Sequence, residues 1–111
     1  MKIINRKAFF EMPAGTIYAQ GEPWCFGELC VKGETLDSGD DWLYRQLVQI
    51  DADNSDKLID RLDDMLDNGA SYPLNTYEMR DGCFDDGMIF MVYEASDLKQ
   101  MIDVFTVAGE L

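Results

Sequence analysis

Residues 88–105 read MIFMVYEASDLKQMIDVF. The opening run Met88 to Tyr93 is apolar at every position and far too short to cross a membrane, so it fits a central strand with both faces covered. Ser96 then stands where a helix N-cap belongs. Leu98, Met101, Ile102 and Phe105 recur at three- and four-residue steps as the inward face of a helix that Gly109 ends. The chain therefore mixes strands and amphipathic helices.

Upstream, Asn54 or Ser55 caps a helix running to about Asp67, with Asn68-Gly69 as its stop and Leu58, Ile59, Leu62, Met65 and Leu66 as a core-facing stripe. Trp42 to Ile50 reads as a strand dense in aromatic and branched residues, and 34–41 as an acidic loop before it. Thr16 to Gln20 and Cys25 to Lys32 read as strands joined by the turn Gly21-Glu22-Pro23. In the second of these, Cys25, Leu29 and Val31 face inward, Glu28 and Lys32 face water, and Gly33 closes the hairpin. Asn5 caps a short helix over Arg6 to Met12 that turns Phe9 and Phe10 inward and stops at Pro13, and a further strand lies around Leu74 to Glu78. Residues 1–111 then form a single α+β domain: a mostly antiparallel sheet of about five strands, two main helices and a short N-terminal helix.

The chain carries 22 Asp and Glu against 9 Lys and Arg and no His in 111 residues, a net charge of −13. Phosphate backbones and anionic membranes repel such a surface, so neither nucleic acid nor membrane is an expected partner. Two Trp, five Tyr and six Phe among apolar runs exclude disorder. Cys25, Cys30 and Cys83 are odd in number and have no metal-binding spacing, and MKIINRKAFF has no apolar leader core; reduced thiols in the cytoplasm are the expectation.

No residue set names a reaction. Without His, the commonest general base is missing, and Cys83 sits among carboxylates that suppress its thiolate, so no catalytic residue and no enzyme activity is expected. Asp51-Ala52-Asp53-Asn54-Ser55-Asp56 begins like a calcium loop, but Asp56 stands where the loop needs Gly and Leu62 where it needs a bidentate Glu. No metal or other cofactor is expected.

The acid is unevenly placed. Residues 34–67 hold 11 acids and 3 bases. Asp56, Asp60, Asp63 and Asp67 line one face of the central helix, where like charges at these steps cost a few tenths of a kcal/mol per pair. One reading is a solvated face that keeps the protein soluble. The functional reading is an acidic surface, extended by Asp40, Asp41 and Asp53, that docks on a basic protein, with Trp24 or Trp42 as a possible aromatic anchor. The helix carries a charge every ~5 Å against one per ~1.7 Å in duplex DNA, so docking fits better than mimicry of nucleic acid. The alternative is a protein that sequesters a small molecule or nucleotide in a pocket or at a homo-oligomer interface. Arg80, Asp81 and Gly82 are its candidates, because a cation beside a Gly turn can meet a phosphate.

Three stretches, KIINRKAFFEMPAGTIYA, CFGELCVKGET and RDGCFDDGMIFMVYEASDL, together resemble a family of small bacteriophage and prophage proteins. Its members share a Met-Pro-x-Gly-Thr turn, a Phe-Gly-x-Leu strand and an Arg-Asp-Gly-x-Phe-Asp turn. The resemblance implies a phage accessory protein in the cytoplasm of a bacterial host. Small acidic phage proteins often block host factors such as defence nucleases, in the manner of anti-CRISPR proteins. On this reading the partner is a basic host protein, nucleic-acid-binding or defensive, and a homodimer is a further possibility.

Overall fold

The computed structural model describes residues 1–36, 41–81 and 85–111. Its organising element is a short helix, α1 (Arg6–Phe10), which follows β1 (Lys2–Asn5) directly. The Asn5 side chain accepts the Ala8 backbone N–H at 2.8 Å, the cap the sequence announces, and the turn delivers Phe9 onto the sheet. The remaining strands are β2 (Ile17–Glu22), β3 (Cys25–Phe26), β4 (Cys30–Thr35), β5 (Trp42–Gln46), β6 (Met79–Arg80) and β7 (Ile89–Val92). The long helices are α2 (Ser55–Asn68) and α3 (Ala95–Gly109).

All strand pairs are antiparallel, in the order β1-β7-β2-β4-β5-β6, with β3 paired to β2 beside that path. The α+β class and mostly antiparallel sheet are as expected, but among the described residues the sheet has seven strands rather than about five. Lys2-Ile3-Ile4-Asn5 is a strand that sequence reading passed over, because four residues are too few to show alternation. The expected strand 25–32 breaks in two, since Gly27 donates its N–H back to the Gln20 carbonyl at 2.9 Å and the chain resumes pairing only at Cys30. Around 74–78 only Leu74 makes a bridge, to Ile50, and pairing resumes at Met79–Arg80.

That break reverses the faces of β4. Cys30 and Lys32 point inward, whereas Cys25 is exposed and Val31 only half-buried, because a one-residue change of register moves every side chain to the other face. Gly33, expected to end the hairpin, lies inside β4, and a Cβ there would meet Leu43 at 3.0 Å across the sheet. Lys32 is 2 % exposed. Its ammonium donates to the Gly33 carbonyl at 3.1 Å and the Thr35 hydroxyl at 2.8 Å, and Thr35 in turn donates to the Phe10 carbonyl at 3.0 Å, tying β4 to α1.

The core is aromatic. Phe9 stacks on Phe90 with ring centroids 4.1 Å apart, meets Tyr18 at 4.6 Å and takes the edge of Trp42 at 5.0 Å. Trp42 Nε1 donates to the Tyr18 hydroxyl at 3.1 Å, which satisfies the indole inside the cluster. Arg6 closes the top, its guanidinium 5.0 Å from the centroids of both Phe10 and Trp42. β7 lies centrally as expected, with Phe90 and Val92 buried on one face and Ile89 and Met91 half-buried on the other.

The long helices depart from expectation. Asn54 caps α2 through Lys57 N–H and Gly69, at φ +68°, ends it, both as read from the sequence. The stripe Leu58, Ile59, Leu62, Met65 and Leu66 is nevertheless not core: no residue of α2 or α3 is buried, and of the three helices only α1 packs closely on the sheet. On α3, Ile102 and Phe105 are exposed rather than inward, and the helix starts one residue before Ser96, with Asp97 accepting the Glu94 N–H at 2.9 Å. The radius of gyration is 15.8 Å, against about 13 Å for a compact domain of this length. No helix among the described residues is long and apolar enough to cross a membrane.

Two outcomes follow from the core. Phe9→Ala removes the ring that touches every other aromatic of the cluster and costs about 3–5 kcal/mol in urea unfolding, a large part of a small domain's stability. The second concerns alkaline pH. Burial raises the Cys30 thiol from 9.0 to about 11 and also pushes the Tyr18 phenol upward. Groups raised in the folded state contribute fully below their unfolded values and lose that contribution as pH climbs through the folded ones. Burial lowers Lys32 instead, so its contribution grows with pH and opposes the loss. Stability therefore falls between pH 9 and 11, and denaturant titrations show a shallower fall for Cys30→Ala and a steeper one for Lys32→Met.

Candidate functional site

The candidate surface is α2, built from three strips. At about 100° per residue, Lys57, Arg61, Asp64 and Asn68 share one side. That side is held: Arg61 lies 5.1 Å from the Tyr72 ring centroid and 4.0 Å from Asp51, and Asp64 accepts from the Tyr72 hydroxyl at 2.5 Å and from Asn68 at 2.7 Å. The bonds from Tyr72, first, and Asn68 keep the Asp64 carboxyl below its usual range.

The second strip is apolar. Leu58 is half-buried, but Ile59, Leu62 and Met65 are exposed, and Leu66 is 82 % exposed. The third strip is Asp56, Asp60, Asp63 and Asp67, all exposed and none engaged in a hydrogen bond or ion pair among the described residues. Asp63 falls next to Ile59 around the helix, so the acids border the bare apolar strip rather than facing away from it. Side by side, the two strips make an apolar ridge with an anionic edge.

The rest of the expected acidic surface is not assembled. Asp53 is exposed and pairs with Lys57 at 3.2 Å, at the start of the helix. Asp41 is 0 % exposed: one carboxylate oxygen accepts the Trp42 N–H at 2.9 Å and the other the Arg80 Nε–H. A buried carboxylate cannot serve a partner surface, and this one is spent on joining β5 to β6. Asp40 lies outside the described residues.

The same contact bears on the small-molecule candidates. Arg80 gives its Nε–H to Asp41, so one edge of its guanidinium already holds a carboxylate that offsets its charge toward a phosphate. Asp81 is half-buried and donates its backbone N–H to the Trp42 carbonyl at 3.0 Å, and Gly82 lies outside the described residues. Sequence reading missed a different concavity: a groove of about 220 Å³ beside the α2 N-terminus, lined by Gln46, Gln49, Asn75, Tyr77 and Ser55, with Asp53 and Glu78 as its only charges among the described residues. Its signal was the run of amide side chains in β5 and beyond. Among the described residues no cluster of acidic and thiol groups could hold a metal ion. Trp42, one of the two possible anchors, is a core residue, while Trp24 is wholly exposed.

No family model, curated protein or solved structure matches this chain.

The acids of the third strip hold nothing in the monomer and repel one another. Changing Asp60, Asp63 and Asp67 together to Asn leaves stability equal or higher by a few tenths of a kcal/mol per relieved pair, read as an equal or slightly higher melting temperature. A clear drop in the thermal unfolding midpoint assigns the strip a structural role instead.

Proposed function

We infer that the chain is a non-enzymatic binding protein whose working surface is made by its two long helices. The observation that carries this reading is their bareness. The surface area is 7541 Å², against about 6,200 Å² for a compact monomer of this mass, and the excess exceeds the ~800 Å² that one partner contributes to a standard interface. Apolar helix faces left open on this scale belong against something.

For α2 the chemistry selects a protein groove with an apolar floor and Lys or Arg on one wall, because Ile59, Leu62 and Leu66 need desolvation while Asp56, Asp60, Asp63 and Asp67 need counter-charge. Clustered Lys and Arg of that kind are what proteins that handle nucleic acid present to phosphates. With the resemblance to phage accessory proteins, the partner is a basic host protein, and the act is occlusion of its binding surface inside the bacterial cytoplasm.

A second reading is favoured by α3. Between Leu98 and Gly109 the only charges are Lys99 and Asp103, and Val104, Phe105 and Val107 are exposed. This is where a second copy, also at −13, approaches with least repulsion. A dimer built there sequesters a small polar molecule or nucleotide at the seam between the copies.

The two readings separate cleanly. If the first holds, a host protein retained from lysate dissociates as salt rises from about 0.1 to 1 M, where the screening length drops from about 10 to 3 Å, and Asp60→Lys with Asp63→Lys abolishes retention. Retention of the same protein by that variant at high salt removes the first reading. If the second holds, light scattering gives a dimer that Phe105→Glu dissociates, and a nucleotide panel contains a compound that raises the melting temperature.

A further inference from the structure

We propose that Trp24, at the tip of the β2–β3 hairpin, is an anchor that inserts into an apolar pocket of a protein partner whose rim carries Lys or Arg. The hairpin is unusually tight. Gly21 pairs with Phe26 and Glu22 with Cys25, leaving only Pro23 and Trp24 as the loop. A Cβ on Gly21 would lie 2.2 Å from the Cys25 carbonyl oxygen, so only glycine lets the two strands close.

Trp24 has φ +75° and is the only non-glycine residue in the left-handed region among the described residues. Proline at the first central position and positive φ at the second are the marks of a type II turn, in which glycine or asparagine belongs at the second. A bulky residue there is strained, and strain of this kind persists where something other than folding requires it. The indole gains nothing in return within the chain: Trp24 is 100 % exposed. Local strain is a cost, and complete exposure of the largest apolar side chain forgoes the stabilisation its burial would give. Both are explained if the indole is buried on binding, since tryptophan is among the residues most enriched at the energetic centres of interfaces.

The surroundings identify the partner's charge. Glu22 and Glu28 border a shallow groove with Cys25 below the tip, Glu28 also accepting from Gln46 at 2.7 Å, and no base among the described residues lies in that groove. Nucleic acid would bring phosphates against these carboxylates, and a second copy meeting tip to tip would bring its own Glu22 and Glu28. A protein pocket with a basic rim satisfies both the indole and the carboxylates. The inference is independent of α2, which lies on another part of the fold.

The test places a benzophenone-bearing phenylalanine analogue at position 24 of the full chain, expressed in a bacterial host and irradiated. The expected result is one discrete adduct with a host protein. With that protein purified, Trp24→Ala weakens binding at least 30-fold, Trp24→Phe weakens it less, and Glu22→Lys with Glu28→Lys flattens its salt dependence. Trp24→Gly keeps the turn and relieves the strain, so its melting temperature rises by about 3 °C while binding is lost. No adduct, an adduct only with the chain itself, or unchanged affinity of the alanine and glycine variants overturns the proposal. A lower melting temperature for Trp24→Gly also does, because it makes the residue structural. The Asp60→Lys, Asp63→Lys variant is irradiated in parallel, so a loss through α2 is read separately from a loss through Trp24.

Discussion

The packing of Phe9 against Phe90, Tyr18 and Trp42 is the interaction on which the rest of the structure depends. Those four rings come from α1, β7, β2 and β5, so one cluster ties both halves of the sheet to the single helix that covers it. The position of Phe9 rests in turn on the Asn5 cap and on the relay from Lys32 through Thr35 to the Phe10 carbonyl. A lysine inside an aromatic core is expensive to desolvate, and it is retained with neutral acceptors only, its Nζ 5.9 Å from the Phe9 ring centroid. The core is dense but small. It covers the sheet with one short helix, and no residue of α2 or α3 is buried.

The acids divide by what they hold. Asp41 joins β5 to β6 through Arg80, Asp51 accepts the Thr76 N–H and hydroxyl at 3.1 and 3.0 Å, and Asp64 receives Tyr72. These carboxylates replace backbone pairing where the sheet edge is irregular, at the Ile50–Leu74 bridge and the two-residue β6. The row on the open side of α2 has no such duty. Net charge therefore conceals carboxylates with different duties, and those of the α2 row are available to another molecule.

Local signals in the sequence were legible because local chemistry decides them. Asn5 and Asn54 cap helices and Gly69 ends one, since an amide oxygen three residues before an orphan N–H, or a residue free to take positive φ, acts without help from distant parts. The faces of β4 were not legible. Cys25 and Cys30 differ in parity, and the unpaired step at Gly27 that settles which of them is inside depends on the Gln20 carbonyl. The apolar strip of α2 was seen at the right residues but assigned to the wrong neighbour, because periodicity states that Leu62 and Leu66 need cover and is silent on what supplies it. The candidate site shows the same division. Asp56, Asp60, Asp63 and Asp67 lie on the surface as their spacing required, whereas the burial of Asp41 depended on Arg80, which lies far away in sequence.

The place of β7 in the sheet has a consequence for synthesis. β7 pairs with β1 on one side and β2 on the other, residue 92 lying opposite both Lys2 and Tyr18. β1 and β2 thus have no direct pairing with each other and wait for a strand that is made only after β3, β4, β5, α2 and β6. At about 5–20 residues per second that wait lasts several seconds, with the edges of β1 and β2 open and Phe9 lacking its stacking partner. Completion of the sheet is accordingly a late, long-range event, of the slow kind expected when sequence-distant strands must meet before either is stabilised.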